Sequence, residues 1–164
     1  MAAGSTYTPI ATQTLGSTAT TITFSSIPST YTDLQIVTSV TSTSSTASAM
    51  YIRFNSDTAS NYSYTYLYGT GSAAGSARSS NQSNIYFGSA SSQEVTTNIG
   101  FVNSYANSSV YKTCICRESA SKTEALACVG LWRSTSAIST IDLFTTGYVF
   151  SAGSTFSLYG IASA

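Results

Sequence analysis

The chain offers few groups that could act as catalysts at neutral pH, because it contains no histidine. Serine and threonine make up more than a third of the residues, but a serine nucleophile needs an activating base. Lys112 and Lys122 are the two lysines that could supply one, and no Gly-x-Ser-x-Gly elbow occurs. We therefore predict that the protein is not an enzyme and has no catalytic residues.

Paired carboxylates could still cleave glycosidic bonds. The six acidic residues are Asp33, Asp57, Glu94, Glu118, Glu124 and Asp142. Glu118 and Glu124 flank a predicted turn, with Arg117 and Lys122 close by in the sequence. We interpret this group as a solvated charge cluster at the tip of a hairpin.

Two sets of residues have the chemistry of metal ligands. Asn55, Asp57 and Asn61 place oxygens along one loop, but the glycine and terminal glutamate of a calcium-binding EF-hand are absent. Asx turns explain this loop without a metal.

Cys114 and Cys116 share one face of a strand, and Cys128 lies on the next. A zinc site would need a fourth ligand, and free cysteine is among the most buried residue types. We predict inert core thiols, with a disulfide from Cys128 as the alternative, and no metal or cofactor.

A row of tyrosines is the most specific surface feature. Tyr62, Tyr64, Tyr66 and Tyr68 alternate along one strand and share one face. Aligned tyrosines can stack on sugar rings or anchor a protein interface, but alternating aromatics also pack inside a sandwich. These four residues and Tyr7 are the predicted interface, and a host glycan stays open as a ligand.

The elements that carry these residues are β-strands, because apolar residues recur with a period of two and no helical stripe occurs. We predict an all-β fold, an antiparallel β-sandwich of jelly-roll type with about eight to eleven short strands. The alternation places these residues mostly inside: Leu34, Ile36, Ile52, Phe54, Ile99, Phe101, Leu131, Ile141, Phe156 and Leu158.

The chain divides into an N-terminal arm, residues 1–9, and a single domain, residues 10–164. The arm is uncharged and precedes the first alternating segment, so we expect it to reach a neighbouring subunit. Residues 41–48 and 69–82 are rich in small polar residues. We interpret both as surface loops, with ordering by a neighbouring subunit as the alternative.

Charge and hydropathy limit the partners. Six basic and six acidic residues give zero net charge, whereas nucleic-acid binding draws on clustered Lys and Arg, so no nucleic acid is predicted. Residues 125–132 form the longest uncharged apolar run, far short of a bilayer span, and the start lacks the basic and apolar regions of a secretory signal. We expect no membrane partner and synthesis in a cytoplasm.

Four segments together resemble small structural proteins of tailed-phage virions, of the Ser/Thr-rich β-sandwich type. They are IATQTLGSTATTITFSSIPSTYTDL (10–34), IRFNSDTASNYSY (52–64), GLWRSTSAI (130–138) and FSAGSTFSLYGI (150–161). The resemblance implies a jelly-roll sandwich in a virion, either a capsid decoration (cement) protein or part of a tail fibre, and it supplies no catalytic residues. The three cysteines depart from it.

The resemblance also implies the partners: the major capsid protein or tail proteins, and further copies of this chain. A homotrimer is expected because three-fold sites are common on capsids and fibres. Zero net charge leaves little repulsion between copies. The predicted function is therefore capsid decoration that stabilises the shell, and the alternative is a tail-fibre or receptor/carbohydrate-binding module.

Overall fold

The structure, a computed structural model, describes residues 6–120, 122 and 124–162. Its strands are β1 (Tyr7–Thr14), β2 (Thr21–Phe24), β3 (Asp33–Val40), β4 (Ser48–Phe54), β5 (Tyr62–Gly69), β6 (Ala74–Gln82), β7 (Ile85–Ala90), β8 (Thr96–Asn103), β9 (Lys112–Ala120), β10 (Glu124–Trp132), β11 (Ile141–Thr145) and β12 (Thr155–Ile161). Among the described residues no helix has the length and hydropathy to cross a membrane. The all-β prediction is confirmed.

The strands form two antiparallel sheets, a large one in the order β1-β12-β3-β8-β9-β10-β5-β6 and a small one in the order β2-β11-β4-β7. Hairpins β5–β6 and β9–β10 extend the large sheet. Among the other eight strands, β1 pairs with β12, β2 with β11, β3 with β8 and β4 with β7. This is a long hairpin wrapped into two sheets, the jelly-roll arrangement that the sequence predicted.

The core lies between the two sheets, and seven of the predicted core residues are buried there: Leu34, Ile36, Ile52, Phe54, Ile141, Phe156 and Leu158. The prediction was wrong for Ile99, Phe101 and Leu131, which lie on the outer face of the large sheet and are partly exposed. Their strands β8 and β10 turn Gly100 and Gly130 towards the core instead, because the side chains of β7 already fill that space.

Strand β7 packs closely on the large sheet at those two glycines. A β-carbon at position 100 would overlap the ring of Phe87, and one at position 130 would overlap Cγ2 of Ile85. Both side chains are fully buried. Ile85 and Phe87 therefore need glycines opposite them, and this requirement determines which face of β8 and β10 is inside.

We expect Gly130→Ala to lower the free energy of unfolding by about 1–3 kcal/mol, because the added methyl overpacks a filled site. Ile85→Ala removes the Cγ1, Cγ2 and Cδ1 atoms that crowd this position, so the double variant should lose less stability than the sum of the two single variants. Urea unfolding of the two single variants and the double variant measures the coupling. Additive losses would contradict the proposed contact.

Strand β6 lies where a surface loop was predicted for residues 69–82. It pairs with β5, for example Thr65 with Arg78 and Tyr68 with Gly75. None of its side chains is buried, so its sequence has no apolar alternation to indicate a strand. Residues 41–47 do connect two strands, and Ser42 bridges to Phe150.

Strand β1 begins before the predicted end of the arm. Tyr7 pairs with Ile161 and Pro9 with Tyr159 at the edge of the large sheet. The boundary between arm and domain therefore moves from residue 9 to about residue 6. Residues 1–5 lie outside the described residues, so contact of the arm with a neighbouring subunit stays a prediction.

Candidate functional site

Tyr62 belongs to the core and cannot form part of the predicted interface. It is fully buried and stacks on Trp132, with ring centroids 6.1 Å apart. Its hydroxyl donates to the carbonyl of Phe54 at 3.2 Å and accepts from the amide of Phe54 at 3.1 Å. Burial raises the pKa of Tyr62. This side chain joins the two sheets.

Tyr64, Tyr66 and Tyr68 continue from Tyr62 along the inner face of β5, and all three are partly exposed. Their ring centroids are 6.3 Å and 6.1 Å apart in sequence order. Tyr86 of β7 meets them, 5.1 Å from Tyr66 and 6.2 Å from Tyr64. We call Tyr64, Tyr66, Tyr68 and Tyr86 the tyrosine stripe.

The stripe is exposed because the large sheet is wider than the small one. Strand β7 is the edge of the small sheet, and it packs on β8, β9, β10 and β5. On β6, the residues beside the three tyrosines of β5 are Gly75, Ala77 and Ser79. Small side chains there leave the three rings partly exposed.

Aromatic rings continue past Tyr86 onto the outer face of the small sheet. Tyr51 of β4 lies 6.0 Å from Tyr86 and 5.7 Å from Phe144. The guanidinium of Arg53 covers Phe144, 4.5 Å from the ring centroid, and its Nε donates to the carbonyl of Ser83. This end of the aromatic run is therefore occupied by a side chain of the protein itself.

The interpretation of Glu118 as part of a solvated cluster was wrong, because its side chain is buried against β7. Its Oε2 accepts from the amide of Ser89 at 2.6 Å, and its Oε1 accepts from the Ser89 hydroxyl at 2.5 Å. Burial, with a smaller contribution from the neighbouring charge of Glu124, raises the pKa of Glu118 to about 7 against the effect of these two hydrogen bonds. Burial also raises the pKa of Glu124.

A cavity of about 290 Å³ opens beside these two carboxylates, at the end of the large sheet. It is lined by Glu118, Glu124, Lys122 and the turn after β5, residues 69–71. Glu124 is close enough to Tyr66 and Tyr86 to raise the pKa of both hydroxyls, although burial is the larger cause. Gly69, which lines this cavity, directly follows Tyr68, and Tyr68 and Glu118 line one surface recess, so the cavity adjoins the tyrosine stripe.

The remaining candidates for chemistry are structural. Asp57 accepts from the Trp132 indole at 2.8 Å, from the Asn61 amide at 2.9 Å and from the amide of Ala59 at 2.9 Å, which is an Asx turn. Partial burial acts to raise the pKa of Asp57, but these bonds hold it below its usual range. Over the described residues, no group of three or more Cys, Asp or Glu side chains could hold a metal.

The lysines and cysteines also have local partners. Lys112 is buried, and its Nζ donates to the carbonyls of Val110 at 2.7 Å and Thr135 at 3.1 Å. Cys114, Cys116 and Cys128 are free and buried on the inner face of β9 and β10. Burial raises the pKa of Cys128 to about 12, so this thiol is unreactive at neutral pH.

The outer face of the large sheet carries a second candidate surface. Phe101, Ile115 and Val129 are direct neighbours across β8, β9 and β10, and we call them the outer row. Ile115 is 49% exposed and Val129 is 55% exposed. Contiguous exposed apolar side chains on a sheet mark interaction sites.

Sequence reasoning missed Tyr86, the buried state of Glu118 and the outer row. The alternation of residues along β9 could have revealed the burial of Glu118 and the exposure of the outer row. Cys114, Cys116 and Glu118 share one face, so a core position for the cysteines requires one for Glu118 and places Ile115 outside. No comparable signal points to Tyr86, because its contact with β5 depends on how the sheets pack.

No family model matches this sequence, and no curated protein matches it either. Matches to solved structures are distant. A galectin from Caenorhabditis elegans is 9% identical, with a TM-score of 0.40 over 93% of this chain and 96% of that chain. An alginate lyase is 9% identical, with a TM-score of 0.32 over 85% of this chain and 78% of that chain.

Proposed function

We propose that this chain is a non-catalytic structural protein of a tailed-phage virion that binds neighbouring subunits through the outer row. Capsid decoration is the location that we favour, and a tail fibre is the alternative. The protein would be made in the host cytoplasm and incorporated into the particle. The observation that carries the proposal is the outer row itself, together with the resemblance of four sequence segments to virion proteins.

Strands β9 and β10 have apolar side chains on both faces, and β8 has its large apolar side chains on the outer face. Their inner faces pack on the small sheet, and their outer faces present Phe101, Ile115 and Val129 to solvent. An antiparallel sheet with one solvated face normally alternates apolar and polar residues. Apolar residues on both faces are typical of a strand that is covered on both sides, so a partner on the outer face explains this pattern.

The charges beside the outer row indicate the kind of contact. Arg117 lies next to Ile99 and Ala127, and Arg78 lies next to Thr65. Both arginines are exposed. Two identical faces packed across a two-fold axis through the outer row would place four arginines in one contact. A contact with a different, carboxylate-bearing surface avoids this repulsion, and a cyclic homotrimer uses contacts of that kind.

We expect Val129→Glu to convert the oligomer into monomers and to weaken attachment to particles at least about tenfold, because a carboxylate would have to be desolvated in the contact. Light scattering of the purified chain measures the first effect, and co-sedimentation with stripped particles measures the second. Val95→Glu is the matched control, since Val95 is 60% exposed and lies outside the outer row.

Two results would contradict the proposal. One is a wild-type chain that stays monomeric at high concentration and does not bind particles. The other is an equal loss of association in the Val95 and Val129 variants. A quantitative gel of purified virions then separates the two locations, because a decoration protein is present in many more copies than a tail-fibre component.

A further inference from the structure

We propose that the tyrosine stripe is a binding site for a neutral saccharide chain. This inference goes beyond assembly, because it gives the particle a means of recognising a glycan. It rests on Tyr64, Tyr66, Tyr68 and Tyr86 and does not use the outer row, which lies on the opposite face of the large sheet.

The first argument is the shape of the stripe. Adjacent rings are 5.1–6.3 Å apart from centroid to centroid, and the three rings of β5 are tilted by 34° and 39° from one to the next. The rings therefore form one continuous wall without separate pockets. The C–H face of a sugar ring can stack on such a wall, and successive sugars can follow the strand.

The second argument is the space beside the wall. A β-carbon at position 75 would lie 2.8 Å from the hydroxyl oxygen of Tyr68, so the ring of Tyr68 lies directly over Gly75. Ala77 and Ser79 continue this line of small side chains along β6. A chain of sugars can approach the rings without displacing a side chain of β6.

The absence of deep pockets disfavours a peptide. Proline-rich peptides bind aromatic grooves by inserting side chains between separated rings. Tyr66 contacts Tyr64, Tyr68 and Tyr86 at once, so the stripe has no such gap around its centre. A flat ligand fits this surface better than one with projecting side chains.

The charges around the stripe indicate a neutral ligand. Glu118 and Glu124 line the cavity at the Tyr68 end of the stripe. Lys122 also lines this cavity, but the carboxylate of Glu94, which accepts from the backbone amide of Lys122 at 3.0 Å and 2.9 Å, lies close by and offsets its charge. Because both oxygens of the buried Glu118 accept from Ser89, Glu124 is the carboxylate that can accept hydrogen bonds from sugar hydroxyls and repel the carboxylates of uronic and sialic acids.

An array of neutral oligosaccharides (β-glucan, α-glucan and galactan fragments) and acidic ones (alginate and polysialic acid) tests the proposal with the full chain. We expect binding to at least one neutral glycan and none to the acidic glycans. Calorimetric titration with the neutral glycan should show that Tyr66→Ala weakens binding at least about tenfold. Tyr68→Ala should also weaken it, and Tyr68 lies at the end of the stripe, where its loss disturbs the fold least.

Tyr111→Ala is the matched control, because Tyr111 is 55% exposed and lies before β9, at the end of that strand away from Glu118. Thermal melts of all three variants confirm that each is folded. Four outcomes would overturn the proposal: no binding to any neutral glycan, preference for acidic glycans, tighter binding of a proline-rich peptide, or equal losses in the stripe and control variants.

Discussion

Replacing Trp132 with alanine should lower the free energy of unfolding by about 3–5 kcal/mol, a large part of the stability of a domain of this size. The indole is 2% exposed and contacts Phe54 and Tyr62, with ring centroids 5.7 Å and 6.1 Å away. Its removal leaves a cavity between the sheets, since the two remaining rings belong to different sheets and cannot both move into the space.

The same substitution also removes the indole N–H that Asp57 accepts at 2.8 Å. Trp132→Phe separates the two effects, because it keeps an aromatic ring in the core and loses the hydrogen bond. We expect it to cost about 1–2 kcal/mol, less than the alanine variant. Urea unfolding measures both values. Equal losses in the two variants would show that the hydrogen bond, and not the packing, is the main contribution.

Glu118→Gln should increase stability at pH 8 by about 3 kcal/mol relative to the wild type and should change it little at pH 4. Burial raises the pKa of Glu118 from 4.5 to about 7. Between these values the folded protein holds a proton that the unfolded chain has released. The stability of the wild type therefore falls as pH rises through this window, and the loss is complete above pH 7.

The glutamine variant has no charge to desolvate, and its amide can still bond to the amide and hydroxyl of Ser89. Unfolding measured from pH 4 to pH 8 should thus give curves that diverge as the pH rises. Asp33→Asn makes the same change in net charge at the opposite end of the large sheet, where Asp33 accepts from the amide of Ser104. A parallel gain in that control would indicate a general charge effect and not the burial of Glu118.

Period-two alternation was sufficient to predict the fold and most strand positions. Leu34, Ile36, Phe156 and Leu158 face the core as predicted, because large apolar residues alternate with smaller or polar ones in β3 and in the first half of β12. Alternation failed in β8, where the large apolar residues Ile99 and Phe101 lie on the outer face, and in β10, where both faces are apolar. The side chains of β7 determine the inner face there, and a contact between sheets cannot be predicted from one strand.

The candidate site could be predicted only in part. The row from Tyr62 to Tyr68 was visible in the sequence, but whether each ring is covered depends on the width of the opposite sheet. Strand β7 ends the small sheet over β5, so Tyr62 is buried and Tyr64 is not. Strand β6, which borders the site, has small polar residues on both faces and gave no pattern to interpret.

The pairing of Tyr7 with Ile161 has a mechanical consequence. The chain enters β1 and leaves β12 at the same end of two neighbouring antiparallel strands. Tension applied through residues 6 and 162 would therefore break the hydrogen bonds between β1 and β12 one pair at a time. A shear geometry would instead load all of these bonds together. We therefore expect the domain to unfold at a lower force when tension is applied through these two residues than when it is applied across the faces of the sheets.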